Sequence, residues 1–176
     1  GTEKGSGFYI HDLWKAQKGV LGRRFVGNIS HGNFFDDKEN CLNPEGNAGH
    51  GLHIGIPETD SITSKALITD FVAYRNSVAG LWADLANLEV KKSFFQDNLI
   101  GVALPSAKVE DCIFIGSTNG TTSNPLKLED GPNAIRFRGA INAGENIVVC
   151  KSSFQDYPMG SIYVQHPSIA LLAVLY

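Results

Sequence analysis

A repeated pattern of short β-strands is the feature that most constrains how this chain can fold. In the segment 88–98, Val90, Ser93 and Phe95 hold the alternating apolar or small positions. The same pattern returns at offsets of 19 and 59 residues downstream, and of 22 and 61 residues upstream. Repeats of this kind indicate that one small structural unit is stacked along the chain.

A second short strand, opened by a glycine, accompanies these repeats. The glycines are Gly51, Gly80, Gly101 and Gly160. Two alternating strands with a fixed break, recurring at about 20 residues, are typical of one coil of a parallel β-helix. We therefore predict an all-β fold, a right-handed parallel β-helix that forms one segment over 1–176. A β-sandwich is the alternative, but sandwiches lack a repeated coil register.

The repeat also predicts which residues face inward and which form turns. Val90, Ser93 and Phe95 are expected to stack on the equivalent residues of neighbouring coils. Asn76 and Asn98 fall at the next turn, where stacked amides can satisfy backbone groups that the bend leaves unpaired. Inserted loops rich in Asn, Gly and Pro are expected on one edge, at about 38–49 and 117–130.

The three cysteines show no spacing typical of a metal site. Cys112 is predicted to be a buried member of the inward stack. Cys150 aligns with Lys91 at a turn. Cys41 lies in the first inserted loop and is the one expected to form a disulfide, with a part of a longer parent chain.

Composition and charge exclude several classes of function. The formal charge is −3 and only 19% of the residues are charged, so the chain lacks the basic excess of a nucleic-acid-binding protein. The longest apolar run, 169–176, is too short to insert into a bilayer. No phosphate loop, dinucleotide motif or catalytic triad is present, so the sequence predicts no cofactor and no catalytic residue. The chain begins at Gly1, and we expect it to be part of a larger ectodomain.

Two acceptor triplets for N-linked glycosylation point to an extracellular or cell-surface location. They begin at Asn28 and Asn119. Asn28 is aligned with Glu89 by the repeat, so its side chain is expected to point outward. Asn119 lies in the second inserted loop.

A candidate glycan-binding surface is predicted where arginines alternate with apolar residues. If Ile135 and Phe137 face inward, Arg136 and Arg138 project from one sheet, with Lys127 close in sequence. Guanidinium groups bind carboxylates through paired hydrogen bonds, as an anionic glycan would require. The alternative is a solvated strand face whose cations pair with local acids.

Histidines and carboxylates give two weaker candidates. His50 and His53 are spaced for a metal site only if His50 lies in the loop, because residues three apart on a strand face opposite ways. Surface histidines at a coil edge are the alternative. Asp97 and Asp156, with Asp36 and Asp37, could act as a general acid and base; turn residues are the favoured alternative, since Asp97 aligns with Arg75 and Gly116.

Several short segments resemble the family of CEMIP, transmembrane protein 2 and the fibrocystins. The match is densest over 68–104 and includes the segments 1–8, 25–33, 71–76, 80–82, 93–101 and 129–132. The resemblance implies a parallel β-helix within a large secreted or membrane-tethered protein. It implies hyaluronan binding or depolymerisation for two members, and a ciliary or cell-surface role for the fibrocystins. The loops at 38–49 and 117–130 depart from the family, and the resemblance assigns no catalytic residue here.

These observations predict an extracellular β-helix segment with a structural or recognition role. Its partners would be an anionic glycan, neighbouring cell-surface proteins or the rest of the parent chain. Part of a hyaluronan-type polysaccharide depolymerase is the alternative, and a trimeric viral tail or adhesin β-helix is a third.

Overall fold

A computed structural model describes residues 7–10, 23–33, 49–55, 66–84, 88–105, 107–116, 133–137, 148–157 and 160–164. These residues form sixteen β-strands and no helix, so they include no helix that could span a membrane. The strands are β1 Phe8–Ile10, β2 Arg23–Val26, β3 Ile29–His31, β4 His50–Ile54, β5 Ala66–Thr69, β6 Val72–Tyr74, β7 Ala79–Ala83, β8 Leu88–Lys91, β9 Phe94–Gln96, β10 Ile100–Leu104, β11 Ala107–Glu110, β12 Ile113–Ile115, β13 Asn133–Phe137, β14 Val148–Cys150, β15 Ser153–Gln155 and β16 Ile162–Val164.

The strands form three parallel sheets that the chain visits in strict rotation. Sheet I has the order β1-β4-β7-β10-β13-β16, sheet II β14-β11-β8-β5-β2, and sheet III β15-β12-β9-β6-β3. Each round through the three sheets is one coil, so the described residues contain five complete coils, followed by β16. The predicted parallel β-helix is confirmed, and the β-sandwich is excluded.

The repeat proposed from the sequence matches the observed register in four coils. Val90 lies opposite Ile68 on one side and Val109 on the other, and Val109 lies opposite Val149. The prediction for the first coil is wrong: Ile29 pairs with Val72, so it belongs with Phe94 rather than with Val90. The error is a slip of four residues across the two-residue turn, where Val90 and Ser93, three positions apart, both face inward. The slip therefore moves Ile29 from the expected interior position to the outer side of sheet III, where it is 60% exposed.

The interior contains a continuous column of aromatic rings. Phe25, Phe71, Phe95, Phe114 and Phe154 follow one another through the coils, with ring centroids 5.1 to 6.1 Å apart. The central three rings are fully buried. Burying each ring stabilises the fold by about 1.5–3 kcal/mol, so this column is a main source of cohesion between coils.

A glycine precedes the core residue of sheet I in β4, β7 and β10, where neighbouring coils approach closely. A Cβ on Gly80 would lie 2.6 Å from Phe95 Cδ1 and 2.8 Å from the Gly101 carbonyl oxygen. Gly51 and Gly101 hold the same position, as predicted, but Gly160 does not: it precedes the equivalent residue, Ser161, by one.

The connection from sheet II to sheet III is two residues long in every described coil. Its first residue has positive φ in each case: Gly27, Asp70, Lys92, Asp111 and Lys151, with φ between 47° and 66°. Its second residue faces inward, where the Ser93 hydroxyl donates to the Lys91 carbonyl and accepts from the Phe71 amide. This invariant turn keeps sheets II and III in register along the whole helix.

Asparagines form the predicted stack at the turn from sheet III to sheet I. Asn98 Nδ2 donates to the Ala73 carbonyl, and its Oδ1 accepts from the backbone amide and the side-chain amide of Asn76. Asn33 Nδ2 donates in turn to Asn76 Oδ1. The side chains thus replace the backbone partners that a turn removes.

The predicted inserted loops fall where the chain passes from sheet III to sheet I. One lies between β3 and β4 and the other between β12 and β13. Apart from Gly49, both segments lie outside the described residues, as does Cys41.

Candidate binding face

The predicted cationic surface is not exposed at Arg136. Ile135 and Phe137 face the core as expected, and Arg136 lies on the outer side of sheet I, but it is only 5% exposed. Its Nη2 donates to Asn133 Oδ1 over 3.1 Å, and its guanidinium carbon lies 5.4 Å from the centre of the Tyr163 ring. The expectation that Arg136 projects into solvent is therefore wrong, while Arg138 and Lys127 lie outside the described residues.

Other outer-facing residues of sheet I are buried as well. Val78, Ala79, Leu99, Ile100 and Ala103 form a second apolar cluster, separate from the interior core, with Trp82 packed against it. Trp82 is half-buried there, and Tyr163, in β16 of the same sheet, is exposed. The outer-facing side chains of sheet I are thus mostly buried from β4 to β13.

His50 and His53 occupy this same outer side, both buried, with ring centroids 5.2 Å apart. The expectation that they would be surface histidines facing opposite ways is wrong. A Cβ on Gly51 would contact Asn76 and Ala73, which lie inside, and Leu52 also faces the core. Gly51 and Leu52 thus both point inward, which breaks the alternation of the strand. His50 and His53, three residues apart, therefore lie on the same outer face.

Packing surrounds the two imidazoles. The His50 ring stacks on Trp82 at 5.1 Å, the His53 ring meets Tyr9 at 4.8 Å, and His53 Nε2 lies 3.5 Å from Asp84 Oδ2. The described residues contain no group of three His, Cys, Asp or Glu side chains arranged to hold a metal ion.

Asn28, the first predicted glycosylation site, stands at a different position from the one expected. The corrected register aligns it with Phe71 and Ser93 rather than with Glu89. Its Nδ2 donates to the Val26 carbonyl, as the Ser93 hydroxyl does to Lys91. Because the first coil ends the described stack, Asn28 is half-buried rather than enclosed. Glycosylation of Asn28 stays a prediction, as does that of Asn119, which lies outside the described residues.

The carboxylates considered as an acid–base pair are turn residues. Asp97 and Asp156 have positive φ at the sheet III to sheet I corner, as Arg75 does in the equivalent position. Their shared backbone conformation accounts for the alignment. Asp36 and Asp37 lie outside the described residues.

Cys112 lies in the inward stack, as predicted. It is buried, and its thiol donates to the Glu110 carbonyl over 3.3 Å. Burial raises the pKa of the thiol to about 11, so it stays protonated and unreactive at neutral pH. Cys150 pairs in register with Glu110, and hence with Lys91, as expected.

The outer side of sheet II carries charges that are paired within the sheet. Lys108 donates to Glu110 over 2.9 Å, and this hydrogen bond lowers the pKa of the Glu110 carboxyl and raises that of Lys108. Lys91 lies 2.7 Å from Glu89. Mutual neutralisation makes this surface a weak attractor for a charged ligand.

The outer side of sheet III is different, because it exposes apolar side chains in register. Its first outer column consists of Ile29, Val72, Phe94, Ile113 and Ser153. Ile29 is 60% exposed and Ile113 is 47% exposed, while Val72 and Phe94 are half-buried. Exposed apolar residues that are contiguous, rather than scattered, mark interaction surfaces.

A second outer column runs beside the first and consists of His31, Tyr74, Gln96, Ile115 and Gln155. The His31 and Tyr74 rings are nearly parallel, with centroids 4.6 Å apart. The two columns contain no Asp, Glu, Lys or Arg side chain. We call these ten residues the sheet III face.

The sheet III face was missed from the sequence, although a signal was present. In three consecutive coils the residue two positions after the positive-φ turn residue is Val72, Phe94 and Ile113, each facing outward. An apolar residue repeated at an outward position cannot be explained by the interior core. Comparison of the chain with family models, with curated proteins and with solved structures found no match, so the family resemblance stays a prediction.

Proposed function

We propose that this chain is a rigid β-helical recognition segment of an extracellular or cell-surface protein, and that it contacts another macromolecule through the sheet III face. The observation that carries the proposal is the exposed apolar column running through Ile29, Val72, Phe94 and Ile113. The extracellular assignment rests on the glycosylation triplets at Asn28 and Asn119 and on the family resemblance.

The regular coil supports a recognition role because it holds the side chains of this face at fixed spacing. Successive rows are separated by about 4.8 Å, and the backbones of β6, β9 and β12 are hydrogen-bonded on both sides. A preorganised surface loses little conformational entropy when it binds. An apolar centre with polar positions beside it also matches the anatomy of protein interfaces.

The sheet III face favours an uncharged or apolar contact rather than an anionic glycan. It presents no guanidinium or ammonium group, and Arg136, the residue predicted to bind carboxylates, is covered on another sheet. Arg136 therefore gives no support to anionic glycan binding.

The test compares a glutamate on this face with a glutamate on another sheet. Ile113→Glu changes the sheet III face, and Val148→Glu, also at an exposed apolar position, changes sheet II. The probes are the protein itself, hyaluronan and an uncharged β-linked xylan oligosaccharide, each measured by biolayer interferometry. We expect Ile113→Glu to weaken binding of at least one probe by about tenfold or more, and Val148→Glu to leave it within about twofold. Equal binding by the two variants with every probe would overturn the proposal.

A further inference from the structure

We infer that the sheet III face binds a second copy of this chain, with the two copies related by a two-fold axis parallel to the axis of the β-helix. This inference rests on the proposed function, because it names the partner of the same face. It is carried by the charges that border the face on both sides.

Each border of the face is a row of turn residues. The row at the corner between sheets II and III reads Asp70, Lys92, Asp111 and Lys151, and the row at the corner between sheets III and I reads Arg75, Asp97, Gly116 and Asp156. The seven charged residues all have positive φ. Six of them are exposed and Asp97 is half-buried, so their side chains lie at the rim of the face.

A two-fold axis parallel to the β-helix axis places the two borders opposite each other. It keeps each coil level with the same coil of the other copy and exchanges left and right across the face. The corner between sheets II and III of one copy therefore meets the corner between sheets III and I of its partner.

The charges are complementary in this arrangement. The coils are numbered along the chain, so that β4, β5 and β6 form the second coil. Asp70 faces Arg75 in the second coil, Lys92 faces Asp97 in the third, and Lys151 faces Asp156 in the fifth. In the fourth coil Asp111 faces Gly116, so no coil brings like charges together. Because the interface is isologous, each pair forms twice, which adds to specificity more than to affinity.

The side chains inside the borders are matched by the same symmetry in the fourth and fifth coils. The first outer column of one copy faces the second outer column of the other. Apolar residues then meet in the fourth coil, where Ile113 faces Ile115, and polar residues meet in the fifth, where Ser153 faces Gln155, whereas in the third coil Phe94 faces Gln96.

An antiparallel pair of copies fits less well. When it is centred between the third and fourth coils, Asp70 faces Lys151 and Lys92 faces Asp111, which is also favourable. Each column then faces itself in reverse order over the second to fifth coils, so Phe94 meets Ile113 and Val72 meets Ser153, while Ile29 lies outside the overlap. The antiparallel pair therefore leaves the 60% exposed Ile29 uncovered, whereas the parallel pair brings the first coil of each copy into the interface.

The size of the face indicates a weak dimer. Five coils at about 4.8 Å each extend over about 24 Å. A strip of that length and about 15 Å wide buries roughly 700 Å² over both copies, below the range of standard stable interfaces. Sedimentation equilibrium should therefore cover about 5 to 500 µM, where dissociation constants of weak complexes fall.

The test exchanges the two charges of one pair. Lys92→Glu places a glutamate opposite Asp97 of the partner, and Asp97→Lys places a lysine opposite its Lys92, so each variant should weaken the dimer by about tenfold. The double variant Lys92→Glu/Asp97→Lys restores opposite charges and should recover the dimer to within about twofold. Lys108→Glu, on sheet II, is the control and should leave the dimer unchanged. Thermal melting of every variant verifies folding.

Three results would overturn the inference. The first is a wild-type chain that stays monomeric at every concentration; the proposed function would still stand if Ile113→Glu weakened binding to the xylan oligosaccharide or to hyaluronan. The second is a dimer that Ile113→Glu does not weaken, which would use another surface. The third is a double variant no stronger than the single variants. That result excludes the parallel two-fold arrangement, because in an antiparallel pair the glutamate introduced by Lys92→Glu would still face Asp111.

Discussion

Buried asparagine side chains replace backbone hydrogen bonds at the corner between sheets III and I. Asn98 is almost fully buried and satisfies three groups, the Ala73 carbonyl and both amides of Asn76. Single residues at this corner therefore contribute as much as a core hydrophobe does.

We expect Asn98→Ala to lower the free energy of unfolding by about 3 kcal/mol, because a buried group left without its hydrogen bond costs about 1–3 kcal/mol. Urea unfolding followed by circular dichroism measures the change. Ser153→Ala, on the exposed sheet III face, is the control and should change stability by less than about 0.5 kcal/mol. Equal effects of the two substitutions would show that the Asn stack is not a source of stability.

At the residue level, sequence reasoning succeeds where the chemistry repeats in register. The stacked asparagines and the inward Cys112 were predicted because each recurs beside equivalent residues in neighbouring coils. Asn28 was misplaced because the slip of four crosses the two-residue turn, where the alternation is broken, so an inward position was taken for an outward one. The side of the sheet on which His50 lies was predicted wrongly because two consecutive residues, Gly51 and Leu52, both face inward.

Among the elements, the two-residue turn between sheets II and III imposes the strictest local requirement. Its first residue must adopt positive φ, which Lys92 does at 47°. A β-branched side chain is strongly disfavoured in this region, whereas Asp, Asn and Gly tolerate it.

Lys92→Val should therefore destabilise the fold by about 1–2 kcal/mol. The same change at Lys108, in the middle of a strand, should cost at most about 0.5 kcal/mol, because valine favours strands and the exposed ion pair with Glu110 contributes little. Denaturant midpoints of the two variants give the comparison. A more stable Lys92→Val than Lys108→Val would contradict the requirement for positive φ.

The strands and their interior faces could be predicted because period-2 alternation reports directly on one buried side. The outer side of a sheet depends instead on what else packs on it, and no local pattern records that. Arg136 illustrates the difference: its outward direction was predicted and confirmed, but its burial was not. The exposed sheet III face could be predicted from the sequence only by comparing the same outward position in successive coils.

The described strands form a one-dimensional stack, because within each sheet a strand pairs only with strands of the adjacent coils. Phe95 lies in the middle of the aromatic column, between Phe71 and Phe114, while Phe154 lies in the last complete described coil and is only partly buried. Removing a ring from the middle of the column breaks its packing with the rings of both neighbouring coils. Removing the last described ring breaks packing with one neighbouring ring.

Phe95→Ala should lower the free energy of unfolding by about 3–5 kcal/mol, and Phe154→Ala by about 1–2 kcal/mol. Chemical denaturation gives both values, and hydrogen exchange locates the affected amides. For Phe154→Ala, faster exchange should be confined to β14, β15 and their neighbours. Uniform acceleration throughout the chain would show that the stack unfolds as a single cooperative unit.

The rotation of the chain through three sheets has a consequence for how the protein acquires its structure. Every described strand pairs with strands of other coils, so paired residues lie between 19 positions apart, as Val90 and Val109 do, and 44 positions apart, as Phe8 and Leu52 do. Such distant partners make folding slow, because loop-closure entropy must be overcome before any pairing is gained. A completed coil then offers a template for the next, so growth from one finished end, in the direction of synthesis, is the natural route to the native state.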